Sequence, residues 1–200
     1  MCGRFESKKI DKAVIEMLKK KKLKVEIDKE VEKRIEEDIR PTQKILSITL
    51  NKETYFLSNV NWGIKFSENS PLIFNSRIET IKEKKYWNTL FSRNKCIVPM
   101  TGFYEWKKEG EKKVKYRIFL PDEDIFFVPA IYHQDKAKNI FTSLITTVPN
   151  KFIKAIHHRM PIIFNLDNAV GFLNDDVETN LNRCVPYSDS KKMDFELAVN

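Results

Sequence analysis

The chain has 200 residues, 42% of them apolar and 32% charged, with a formal net charge of +8. This mixture predicts a single packed domain over residues 1–200 and excludes a wholly disordered chain. No segment approaches the roughly 20 apolar residues that a membrane helix needs. The basic balance suits a polyanionic partner, nucleic acid first, although a lysine-rich surface also serves solubility alone.

The first residues, Met1-Cys2-Gly3-Arg4-Phe5, carry no apolar run behind a basic leader and do not read as a secretory signal. Residues 8–38 predict two surface helices. Ile10, Val14, Ile15, Met17 and Leu18 recur at helical spacing, and Ile27, Val31, Ile35 and Ile39 recur at steps of four. Beyond Pro41 the texture changes. Runs rich in Ile, Val, Phe and Thr predict strands at 45–50 and 54–60, joined by a hairpin at Asn51 and Lys52. Further strands are predicted at 95–99, 114–120, 125–131 and 140–147, with turns at 109–111 and 121–124. Helices are predicted over 78–91 and 148–156, and a last one starts after Asn165 within 164–173. Strands with helices at intervals make an α+β single domain.

The three cysteines, Cys2, Cys96 and Cys184, are too sparse for a disulfide scaffold and fit a reducing, cytoplasmic interior. His133, His157 and His158 show no zinc-ligand spacing, so no metal is expected.

Four clusters can carry chemistry. Removal of Met1 would leave Cys2 as a free N-terminal cysteine. Its α-amine (unperturbed pKa about 7.7–8.0) and thiol (about 8.5) would both be partly deprotonated near neutrality. An aldehyde meeting that pair forms an imine with the amine, which the thiol closes into a thiazolidine. The plain alternative is an incidental residue in a frayed terminus. In the segment Asn75-Ser76-Arg77-Ile78-Glu79-Thr80, Arg77 can fork a phosphate and Asn75 can orient a nucleophile. Equally, Ser76 or Asn75 caps a helix with Glu79 in its first turn. Next, Gly102-Phe103-Tyr104-Glu105-Trp106 follows an apolar strand. A carboxylate between aromatics tends to be desolvated, which raises its pKa toward acid–base duty, or it is a plain strand glutamate. Last, in Ile156-His157-His158-Arg159-Met160-Pro161 at most one histidine points into a pocket, and both can be exposed turn residues. Upstream, Thr146 and Thr147 can serve a phosphate or cap the next helix.

In this order the clusters resemble the SRAP family (SOS-response-associated peptidase). Met1 to Phe5 looks like its start, and Pro41-Thr42-Gln43 is similar to its Pro-Thr-Gln segment. Trp62-Gly63 resembles its Trp-Gly element. Residues 75–80 match Asn-x-Arg-x-Glu-Thr, 96–106 resemble its Cys-x-x-Pro…Gly-Phe-Tyr-Glu-Trp block, and 156–163 resemble its Ile-His-x-Arg-Met-Pro block. Six strings in register over about 160 residues are far more specific than any one of them. The sequence departs from the family pattern at Asp38, Arg40 and Lys95, and Phe66 is the nearest candidate for an expected aromatic wedge.

The resemblance implies an α+β fold with a curved, antiparallel, barrel-like sheet and flanking helices. It implies a partner, single-stranded DNA carrying abasic sites, captured by a monomer as a thiazolidine crosslink through Cys2, with weak lyase activity and no cofactor or membrane. Asn75, Glu105 and His157 would complete the catalytic set, and Arg4, Pro41, Phe66, Arg77, Thr146 and Arg159 would contact DNA. Two other readings stay open: a cysteine peptidase using Cys2 and His157, and a non-covalent single-strand binder.

Overall fold

The computed structural model describes residues 3–7, 10–29, 31, 36–188 and 192–198. Along the chain these form β1 (Phe5–Ser7), α1 (Ile10–Lys20), β2 (Lys24–Ile27), β3 (Glu36–Ile39), β4 (Lys44–Asn51), β5 (Thr54–Trp62) and β6 (Asn75–Arg77). Then follow α2 (Ile78–Glu83), α3 (Lys85–Arg93), β7 (Lys95–Met100), β8 (Gly102–Glu109), β9 (Lys112–Phe119), β10 (Phe126–Gln134) and β11 (Ile140–Thr147). The chain continues through α4 (Lys151–Lys154), β12 (Met160–Pro161), α5 (Leu166–Asn174), α6 (Val177–Arg183) and β13 (Asp194–Leu197). No helix among the described residues is long and apolar enough to cross a membrane.

The strands make two sheets, an eight-stranded one ordered β12-β11-β10-β7-β4-β5-β2 with β6 on β11, and a five-stranded one ordered β13-β9-β8-β1-β3. In the larger sheet β5 also pairs with β11, through Phe141↔Asn61 and Thr142↔Trp62. That contact closes β4, β5, β11, β10 and β7 into a ring. The curved sheet expected from the resemblance is present, but it is mixed rather than antiparallel: β5–β11, β6–β11 and β2–β5 are parallel pairs.

Two apolar clusters hold these layers. One packs α1, α3 and α5 against the outside of the ring. There Ile10, Val14 and Leu18 sit one turn apart on α1 and are wholly buried, each worth about 1.5–3 kcal/mol relative to exposure. The other fills the ring and the space under the smaller sheet with Phe5, Trp62, Val98, Met100, Phe103 and Ile118.

Among the described residues of 27–39 the second expected helix is not found. Ile27 instead ends β2, paired in parallel with Leu57, and Ile39 lies across from Phe5 in β3, while Ile35 falls outside the described residues. A four-residue step also suits β-branched residues in strands, and at Ile27 and Ile39 sheet pairing won. The helix expected at 78–91 breaks at Lys84, whose extended backbone (φ −100, ψ 117) separates α2 from α3. Only Lys151–Lys154 of 148–156 is helical, capped by the Asn150 side chain, which accepts from the Ile153 amide; Thr146 and Thr147 stay in β11. Asn165 caps α5 in the same way, by accepting from the Asn168 amide.

Trp62 is the pin that carries the ring over to the site. It is fully buried and its indole N–H donates to the Phe74 carbonyl at 2.9 Å. Gly63 follows at φ +120, where a Cβ would stand 2.7 Å from Leu72 Cδ1, so only glycine lets the returning loop close on itself. That loop delivers Asn75. The Pro-Thr-Gln turn docks on the same tryptophan, since the Thr42 amide donates to the Trp62 carbonyl and the Trp62 amide to the Gln43 carbonyl.

Candidate active site

The smaller sheet has two chemically distinct faces, set by strand alternation. On β8, Phe103 and Glu105 point inward with Phe5 and Ile118; Tyr104 and Trp106 point outward, across from Arg117 and Lys115 on β9. Glu105 is therefore a carboxyl at the end of an apolar row, 2% exposed. Burial penalises its charged form and pushes its pKa up to about 7.

His157 reaches the same spot from the turn after α4. Its Nδ1 lies 3.8 Å from Glu105 Oε1. The turn fixes the ring, because the Arg159 amide lies 3.1 Å from Nδ1 and can donate to it. Burial lowers the His157 pKa, with the neighbouring His158 acting in the same direction. His158 is exposed, its ring 4.2 Å from that of His157, so only the first histidine addresses the carboxyl.

Arg159 holds this turn against the rest of the site. Its two terminal nitrogens donate to Glu79 Oε1 and Oε2, each at 2.9 Å, and Nη2 also donates to the Thr146 carbonyl at 2.9 Å. Burial disfavours the Glu79 carboxylate, but the Arg159 hydrogen bonds and charge, aided by Arg77, hold its pKa below the usual range. Thr146 is wholly buried and Arg159 is 7% exposed. Both were expected at phosphates. In the structure the terminal nitrogens of Arg159 meet Glu79 and Thr146, so both residues brace the site.

Asn75 and Arg77 arrive on β6, which runs parallel to β11 with Asn75 beside Leu144 and Arg77 beside Thr146. Asn75 is half-buried and Arg77 exposed. Between them the Ser76 hydroxyl is 2.8 Å from that of Ser143, which locks β6 in register. Neither Asn75 nor Ser76 caps α2; Arg77 occupies the cap position without a side-chain hydrogen bond.

Cys2 lies outside the described residues. The strand that follows it is anchored beside Glu105: the Arg4 carbonyl accepts from the Tyr104 amide at 2.9 Å, and Phe5 pairs with Phe103. Pro41 sits in the turn docked on Trp62. Phe66 is 48% exposed and meets Tyr86, Trp87 and His133 edge-on at 5.4, 6.0 and 6.0 Å.

Sequence reading missed the groups that anchor the N-terminal strand. Arg117 donates to Glu6 from Nε at 2.8 Å and from Nη2 at 3.1 Å, and Thr101 and Tyr104 donate to the same carboxylate. Gly102 makes room, since a Cβ there would stand 3.2 Å from Arg117 Nε. No local pattern marks Arg117 as the partner of a residue 111 positions away.

Residues 1–197 match the family described as SOS response associated peptidase (SRAP). The chain belongs to the SRAP family. Among relatives of this SRAP chain, the Bacillus subtilis protein named abasic site processing protein YoaM is 32% identical over 147 residues, covering 68% of this chain and 65% of YoaM. The Escherichia coli protein named abasic site processing protein YedK is 26% identical over 199 residues, covering 93% of this chain and 88% of YedK. A crystal structure of a Bacteroides thetaiotaomicron protein superposes with a TM-score of 0.81 at 25% identity, covering 100% of this SRAP chain and 93% of that one.

Proposed function

We propose that this protein captures abasic sites in single-stranded DNA by closing their ring-opened aldehyde into a thiazolidine on Cys2, after removal of Met1. The observation that carries this reading is Glu105, a buried carboxyl with a pKa of about 7, standing 3.8 Å from His157 beside the strand that leads to Cys2. Continuing the β1–β8 pairing by two residues brings Gly3 abreast of Glu105. The Cα of residue 2 is tied within about 3.8 Å of the Gly3 Cα by the peptide bond. The names of the relatives YoaM and YedK support the same substrate class.

The chemistry uses groups of this chain alone. The neutral α-amine adds to the aldehyde carbon, and Glu105 in its acid form protonates the departing hydroxyl, so water leaves and an imine remains. The thiolate then adds to the imine carbon and the nitrogen takes up a proton. One C–N and one C–S bond form, and one water is released. His157, kept neutral by burial, takes the proton of the anomeric hydroxyl and passes it to the ring oxygen as the closed sugar opens. Asn75 orients the amine or the aldehyde oxygen. Exposed Arg77 and, at the strand itself, Arg4 supply the phosphate grip. The imine stage also permits β-elimination, which gives weak lyase activity.

Incubation with an abasic oligonucleotide, denaturation and intact-mass measurement test this. The expected product has the mass of protein without Met1 plus DNA minus one water. Cys2→Ala removes it. A product that survives Cys2→Ala, or peptide cleavage in place of any DNA adduct, overturns the proposal.

A further inference from the structure

The outer face of the smaller sheet carries a carboxylate, Asp38, that the capture chemistry does not use. Arg4 Nε lies 3.2 Å from Asp38 Oδ1, and its guanidinium stands 5.7 Å from the Trp106 ring centre. Lys115 Nζ donates to Asp38 Oδ2 at 3.2 Å and lies 4.2 Å over the Tyr104 ring. One carboxylate on β3 thus faces two cations, one just ahead of β1 and one on β9. The two contacts differ in quality. Lys115 makes a directed hydrogen bond, whereas Asp38 Oδ1 is buried and no donor among the described residues is aligned for a hydrogen bond to it. The Arg4 contact with Asp38 is one of charge, on a side chain that is 18% exposed.

The position of this trio gives it a consequence. Arg4 is two residues from Cys2, so a phosphate drawn to it flanks the sugar that reacts. Phosphates are identical in intact and abasic strands, and a contact made equally to both cannot discriminate between them. A fixed carboxylate between the two cations lowers the attraction for any backbone. Selection then falls to the aldehyde.

We propose that Asp38 is a specificity-determining residue: by neutralising Arg4 and Lys115 it keeps the grip on intact single strands weak, so that damaged strands are retained by the covalent step. This inference rests on the reading of the chain as a single-strand binder given above.

The test is a salt series of binding to an intact, unmodified oligothymidylate, measured by fluorescence anisotropy with full-length wild-type protein and Asp38→Asn. The amide keeps the size of the carboxylate and removes its charge. Binding by Asp38→Asn is expected to be about two- to fivefold tighter at low salt, the range that a partly exposed ion pair commands. The log–log salt slope is expected to steepen by about 0.7 for each phosphate newly engaged. Asp38→Glu retains the charge and is expected to keep the wild-type slope. Asp38→Ser serves as a second neutral variant should the amide fail to fold. In the Asp38→Asn background, Arg4→Gln is expected to remove most of the gain. In the covalent assay, intact strand added as competitor is expected to suppress capture by Asp38→Asn at about two- to fivefold lower concentration. An unchanged slope, weaker binding, or a gain that persists without Arg4 overturns the inference. If wild-type protein forms the adduct while Asp38→Asn leaves the slope unchanged, this inference alone fails. If no adduct forms, the capture reading fails and the salt slopes still judge Asp38.

Discussion

Glu6 and Glu105 sit on neighbouring strands of the same sheet, both nearly buried, and their carboxyls are displaced in opposite directions. Glu6 faces outward, where burial alone would raise its pKa but Arg117, Thr101 and Tyr104 donate to it and hold it below the usual range. Glu105 faces inward along a row with Phe103, and burial takes its pKa to about 7. Strand alternation separates the two environments by the thickness of one backbone. Desolvation is common to both; at Glu6 the hydrogen bonds and charge outweigh it, and at Glu105 it prevails. The outward glutamate anchors the N-terminal strand as a permanent anion. The inward one is free to exchange a proton near neutral pH.

The largest effect should come from removing that proton. Glu105→Gln is expected to slow adduct formation by about 10²–10⁴-fold with little change in DNA affinity, read from single-turnover gels beside a binding titration. The wild-type rate should rise with pH as the α-amine deprotonates and fall as Glu105 ionises above about 7, with a maximum near roughly pH 7.5. In Glu105→Gln the falling limb should vanish. A variant that keeps the full rate, or the full bell, breaks the contrast between the two glutamates.

Glu6→Gln should act on stability. It leaves Arg117 half-buried beside a neutral amide, at a cost of about 1–3 kcal/mol after allowing for solvent at that site. Because the folded-state pKa of Glu6 is depressed, its contribution is present at neutral pH and is lost as pH falls through the acid range. Urea unfolding of both proteins at neutral and acid pH should show the difference shrink as acid is added. A difference that does not depend on pH would mean that Glu6 acts by packing alone.

The smallest effect carries the opposite sign. Glu105 has a raised folded-state pKa, so the folded chain binds more protons than the unfolded chain between the two values. Wild-type stability should therefore decline from about pH 5 to about pH 8, by on the order of 2 kcal/mol, relative to Glu105→Gln. Parallel stability curves for the two proteins would show that Glu105 is not desolvated as its burial implies.

The pattern of residues determined a good deal. The apolar step on α1, the β-branched runs of β4, β5, β10 and β11, and the Asn165 cap all express local preferences that tertiary contacts did not override. Cys2, Glu105 and His157 stand out in the sequence because their side chains have few ordinary uses in those settings, and the fold brings Glu105 and His157 within 3.8 Å, while Cys2 lies outside the described residues. Tertiary structure alone decided what each charge does. Ile27 and Ile39 joined strands because Leu57 and Phe5 offered edges to pair with, and no helical period encodes that offer. Arg159 reads as a phosphate ligand in the sequence, and the fold adds Glu79, 80 positions away, as partner to both its terminal nitrogens. A charged side chain has one chemistry in the sequence, but its role depends on which partner the fold brings within about 3 Å, because the strength of a charge-assisted hydrogen bond is set over that distance.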